Sequence, residues 1–129
     1  ESVLMALAEA GGKEEEVPPG IATGFCSGLS RTAGTCGAVN GAIMGIGLYG
    51  GRLTPDESVD GCYGLVQEFL DTFENTFGST NCKGLLGLDF RVPEAHVRFD
   101  EDNRVQECLE FSERAADTAW EVLLKAQLV

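Results

Sequence analysis

Five cysteines, Cys26, Cys36, Cys62, Cys82 and Cys108, are the residues of this 129-residue chain best suited to chemistry. An odd number rules out complete internal disulfide pairing, and a chain of this length can fold without disulfide staples. The thiols are therefore expected to be reduced, reactive or metal-binding. No two share the C-x-x-C spacing of a thioredoxin-like dithiol, a zinc ribbon or a bacterial ferredoxin loop. Any shared site has to be assembled from separate helices.

The local sequence suggests where each thiol falls. Thr35 is a candidate N-cap that puts Cys36 in the first turn of a helix, and Ser79 or Thr80 would do the same for Cys82. There the free N–H groups and the positive end of the helix dipole favour a thiolate, the form that binds metal or attacks a disulfide. Cys26 lies near the end of an expected helix over residues 20–30, and a turn at Arg31–Gly34 would fold it back towards Cys36. Cys108 sits early in the last expected helix, on a stripe with Ala115 and Ala119. Cys62 falls on an apolar helix face and reads as a core residue.

The elements that carry these thiols are helical. Residues 1–10 place Val3, Leu4, Leu7 and Ala10 on one face, and Ile21, Phe25 and Leu29 recur every four residues. "LTPDE" combines a Thr54 cap, Pro55 at the first helical position and Glu57 closing a capping box. Val59, Cys62, Val66, Phe69, Phe73 and Phe77 follow at three- and four-residue steps, and Gly78 ends the run. Residues 89–101, with Pro93, read as irregular, and Asp102 as the cap of a helix reaching Leu124. No strand alternation is present. The expectation is an all-α protein, residues 1–129 forming one compact bundle of five to six helices.

Gly45, Gly47 and Gly50 match G-x-G-x-x-G, but a helical segment precedes them where a dinucleotide fingerprint needs a strand. Gly37, Gly41 and Gly45 are more informative, because a four-residue spacing puts them on one helix face. Each costs about 1 kcal/mol relative to alanine. A bare stripe lets another helix or a cofactor approach closely, and Gly37 and Gly41 are the candidates for cofactor contact. His96, the single histidine, reads as a solvated loop side chain. Asp56, Glu57, Asp60, Glu68, Asp71 and Glu74 mostly avoid the apolar stripe and read as a solvated face.

Nine basic against 21 acidic residues give a net charge of −12, which opposes nucleic acid or an anionic membrane as partner. The longest apolar run, Gly41–Gly51, falls short of the ~20 residues needed to span a bilayer. No secretory signal pattern is seen. A cytoplasmic protein without membrane insertion is expected, with a redox protein as partner and a homodimer compatible with the glycine-striped helix.

"CGAVNG" at Cys36–Gly41 resembles the C-G-A-x-x-G motif of the C_GCAxxG_C_C family of redox-active proteins, which are about this long and marked by four cysteines. "ESVLMALAEAGG", "IATGF", "TCGAVNGAIMGIGLYGG", the Phe-rich helix and "GSTNCKGLLGLD" resemble the family in order over nearly the whole chain. The resemblance matches Cys36 to the motif cysteine, Cys82 to the third and Cys108 to the fourth. The family's first cysteine would fall near "ESVL", so Cys26 or a residue before Glu1 is expected to take its place. The resemblance also implies an iron–sulfur cluster, because a related helical domain occurs in cluster-containing multihaem proteins of anaerobes.

The leading expectation is an electron carrier rather than a stand-alone enzyme, binding an iron–sulfur cluster (2Fe-2S ahead of 4Fe-4S) through Cys36, Cys82, Cys108 and Cys26. A second expectation is a metal-free thiol–disulfide protein, with Cys36 attacking and Cys82 or Cys26 resolving. A third is a helical interaction domain with structural zinc or simply buried cysteines.

Overall fold

The computed structural model describes residues 1–129 and is all-α, with seven helices and no strand. The helices are α1 (Ser2–Ala10), α2 (Cys26–Arg31), α3 (Gly37–Gly50), α4 (Asp60–Phe77), α5 (Cys82–Leu86), α6 (Pro93–Glu101) and α7 (Val105–Lys125). Two 3-10 turns, Glu14–Glu16 and Thr23–Phe25, lie between α1 and α2. None of the helices is long and apolar enough to cross a membrane.

α1, α3, α4 and α7 form the core, with α3 packed against the other three. Phe69 and Phe73 of α4, Val39 and Ile46 of α3, Leu7 of α1 and Leu123 of α7 are fully enclosed. The expected phenylalanine stripe is therefore the face that α4 buries. Phe73 packs on Phe77 (4.9 Å between ring centroids) and Phe77 on Phe111 of α7 (5.0 Å), edge to face. Gly78 ends α4 with a φ of 83°, the left-handed conformation that glycine adopts without a side-chain clash.

The glycine stripe of α3 serves helix packing over most of its length. A Cβ on Gly41 would lie 3.1 Å from Val3 Cβ, and one on Gly45 would collide with Leu7. α1 can thus lie directly on the α3 backbone. Tyr49 fastens the pair by donating its hydroxyl hydrogen to the Leu7 carbonyl (2.7 Å), one of the free carbonyls at the end of α1.

Several boundaries differ from expectation. The 20–30 segment is not one α-helix but a short 3-10 turn, Thr23–Phe25, followed by α2. Ser27, Gly28, Leu29 and Ser30 all have φ between 52° and 63°, so α2 is a left-handed turn. The segment's apparent four-residue period does not face the core: Ile21, Phe25 and Leu29 are 49%, 41% and 37% exposed. Thr54–Glu57 forms a separate turn and not the expected capping box, the Thr54 hydroxyl donating to Glu57 (3.4 Å) and the Glu57 amide donating to the Thr54 carbonyl (3.2 Å). The Leu53 amide donates to Glu57 (2.9 Å), and α4 begins only at Asp60, whose amide donates to the Ser58 hydroxyl (3.1 Å).

Residues 93–101 are helical rather than irregular. Val92 is extended and Pro93 occupies the helix start, where its missing N–H costs nothing. Asp102 closes α6 instead of opening α7, because Asn103 turns the chain through φ 50° and α7 starts at Val105. On α1 the buried face ends in Ala8, and Ala10 is exposed.

Candidate functional site

At one end of the core, α2, α5, α6 and the starts of α1, α3 and α7 enclose a cavity of about 500 Å³. Cys26, Cys36, Cys82 and Cys108 all line it, although up to 82 residues separate them in sequence. The turn at the end of α2 brings Cys26 to the same wall as Cys36. Cys62 stays outside, half-buried on α4 and packed against the core, as its place on the apolar stripe implies.

A short antiparallel bridge between Thr35 and Asn81 sets the two central cysteines side by side. The Cys36 amide donates to the Thr80 carbonyl and the Cys82 amide to the Gly34 carbonyl, both at 2.8 Å. Both helices therefore start from one clamp. Cys36 is itself the N-cap residue of α3, replacing the expected Thr35. Asn81, rather than Ser79 or Thr80, caps α5, its side chain accepting from the Lys83 amide (3.1 Å). Ser79 instead accepts from the Asn81 amide (3.0 Å).

The left-handed turn closes over this clamp. A Cβ on Gly28 would lie 2.5 Å from Cys82 Cβ and 3.3 Å from its sulfur, so only glycine fits between the turn and Cys82. Gly37 plays a similar part beside Cys26, where a Cβ would meet the Cys26 Cα at 3.1 Å. Gly37 lines the cavity, whereas Gly41 faces α1 away from it. Cys26 is half-buried, its thiol donating to the Ala22 carbonyl (3.6 Å).

Burial governs the thiols more than the helix ends do. Burial pushes Cys36 above the ordinary thiol range, and the nearby Ala38 and Val39 amides offset only part of that. Cys82 is pushed up to about 11, first by burial and then by Cys36 and Cys108. Cys108 is also raised, by burial, Cys36 and Glu107, with Arg104 opposing. The expected thiolates are therefore neutral thiols in the metal-free protein. Cys36 acts on both Cys82 and Cys108, and Cys108 on Cys82, so the three thiols lie within electrostatic reach of one another.

His96 is the residue that sequence reading misplaced. It lies on α6 and lines the same cavity. Its Nε2 is 3.0 Å from the Phe90 carbonyl, and its ring packs on Phe90 with centroids 5.0 Å apart. Pro93 followed by Glu94 was the available signal for the helix that carries it. Arg31 and Asp100 also reach the wall. Arg104 donates to Glu107 and to the Leu86 carbonyl (2.8 Å), tying the start of α7 to the end of α5.

No three His, Cys, Asp or Glu side chains converge closely enough to hold a single ion. Four thiols nevertheless share the wall, Cys36 and Cys82 being held by one backbone clamp. Sulfur donors on one wall are chemically suited to a thiophilic metal group and equally to thiol–disulfide exchange.

The family model described as "Putative redox-active protein (C_GCAxxG_C_C)" matches residues 1–122, and the chain belongs to this family. Among curated proteins and solved structures, none matches the chain.

Proposed function

We propose that this member of the C_GCAxxG_C_C family is an electron-transfer protein whose cavity holds an iron–sulfur centre, a 2Fe-2S cluster first, through Cys36, Cys82 and Cys108. The observation that supports the reading most is the convergence of those three thiols, from three separate helix starts, on one cavity. The fourth donor is one of the other groups on the wall, among them Cys26 and His96.

Bound there, such a group supplies one-electron uptake and release. The rest falls to the chain. The clamp between Thr35 and Asn81 fixes the backbones of Cys36 and Cys82, so two donors are positioned before anything binds. The raised thiols release their protons as metal binds, which makes loading steeply dependent on pH. Arg104 beside Cys108 is already paired with Glu107, whereas Arg31 on the wall offsets part of the negative charge that the donors gather. The Ala38 and Val39 amides near Cys36 act in the same sense, and such donors raise a reduction potential. The Phe90 and Phe99 side chains limit water on the α6 side.

The partner is a redox protein, and the −12 net charge favours one with a basic docking face. The test is the visible and electron-paramagnetic-resonance spectrum of protein purified without oxygen. Sulfur-to-iron charge-transfer bands that bleach on reduction are expected. A colourless protein that stays so after reconstitution with iron and sulfide contradicts the reading.

A further inference from the structure

We propose that His96 is a donor to the metal group of this cavity, its Nδ1 completing a three-cysteine, one-histidine set with Cys36, Cys82 and Cys108. The inference rests on the reading of the cavity as a metal site. His96 stands on the cavity wall with those three cysteines, carried there by α6.

The hydrogen bond at Nε2 decides which ring nitrogen is free. The Phe90 carbonyl can only accept, so Nε2 carries the proton and the lone pair of the neutral ring falls on Nδ1. A metal-ligating histidine typically has its other N–H tied in this way to a backbone carbonyl, which fixes both tautomer and ring orientation. The ring is further held by Phe90, which itself packs edge to face on Phe99 (5.3 Å). Little side-chain freedom remains to be lost when Nδ1 binds. Cys26 is the weaker fourth donor, since its sulfur is already engaged twice at the start of the left-handed turn, donating to the Ala22 carbonyl (3.6 Å) and accepting from the N-terminal ammonium (3.8 Å).

His96 is the only histidine in the chain, so isotope-labelled histidine marks this ring alone. The experiment reconstitutes the full chain with ferrous iron and sulfide, reduces it, and records pulsed paramagnetic-resonance spectra with labelled and unlabelled histidine. A strong nitrogen coupling that changes with the label is expected. It should vanish in His96→Ala, while Cys26→Ser keeps both the coupling and the iron. His96→Cys should lower the reduction potential, because a thiolate replaces a neutral imidazole. An iron–sulfur signal without coupling to the labelled ring overturns this inference and leaves the iron site standing. A chain that takes up no iron overturns both.

Discussion

Cys36 and Cys82 begin their helices from opposite sides of one clamp, the amide of each donating to the carbonyl of the residue two before the other (2.8 Å in both cases). Neighbouring backbone amides thereby deliver two thiols from distant parts of the chain to one wall. The left-handed turn of α2 locks this arrangement from outside, and the glycine stripe of α3 anchors it to α1.

Gly28 is the most exacting position in that lock. Its φ is +63°, and an added Cβ would lie 2.5 Å from Cys82 Cβ and 3.1 Å from the Gly34 carbonyl. Gly28→Ala is expected to cost about 1–3 kcal/mol in urea denaturation. It should also open Cys82 to alkylation, read as a faster thiol-labelling rate in the native protein.

Two glycines two residues apart on α3 should respond in opposite directions. Gly45→Ala drives a methyl group into Leu7 and should destabilise by about 1–3 kcal/mol. Nothing lies within 4 Å of a Cβ on Gly47, which is helical, so Gly47→Ala should stabilise by up to about 1 kcal/mol. Thermal melts of the two variants check the contrast.

Tyr49→Phe removes the hydroxyl that caps α1 at the Leu7 carbonyl. A loss of about 1 kcal/mol is expected. Hydrogen exchange should quicken at the end of α1 before it does so in α4.

The reduced, metal-free protein should lose stability at alkaline pH. An ordinary thiol titrates near 9, whereas folded Cys82 holds its proton to about 11. Its contribution is complete below pH 9 and is lost as pH rises to about 11, because only the unfolded chain gives up the proton in that window. Allowing for partial solvent access, about 1 kcal/mol is at stake, or roughly 3–5 °C in Tm. Cys82→Ser should flatten that part of the pH profile.

The sequence was most legible where contacts are periodic and local. Phe69, Phe73 and Phe77 with Gly78 define α4 because a buried helix face repeats every three to four residues. Gly41 and Gly45 announced a close approach, which α1 fills. Ile21, Phe25 and Leu29 misled because they fall in three different pieces, a turn, the Thr23–Phe25 3-10 turn and the left-handed α2, and all three are exposed; α2 packs through Gly28 on Cys82, a contact that no local pattern encodes. His96 read as solvated because its neighbours, Phe90 and the cavity wall, arrive only when α6 docks. The three central cysteines were identifiable by type and by resemblance. Their neutral state was not, since it comes from mutual burial.

The most direct test of the central claim is the iron and acid-labile sulfide content of the chain after anaerobic reconstitution, measured beside Cys36→Ser, Cys82→Ser and Cys62→Ser. Iron and sulfide should be present together in the wild type and in Cys62→Ser, and lost in the other two. A wild-type protein free of iron, in which oxidation removes a pair of thiols, would contradict the account and identify the cavity as a dithiol site.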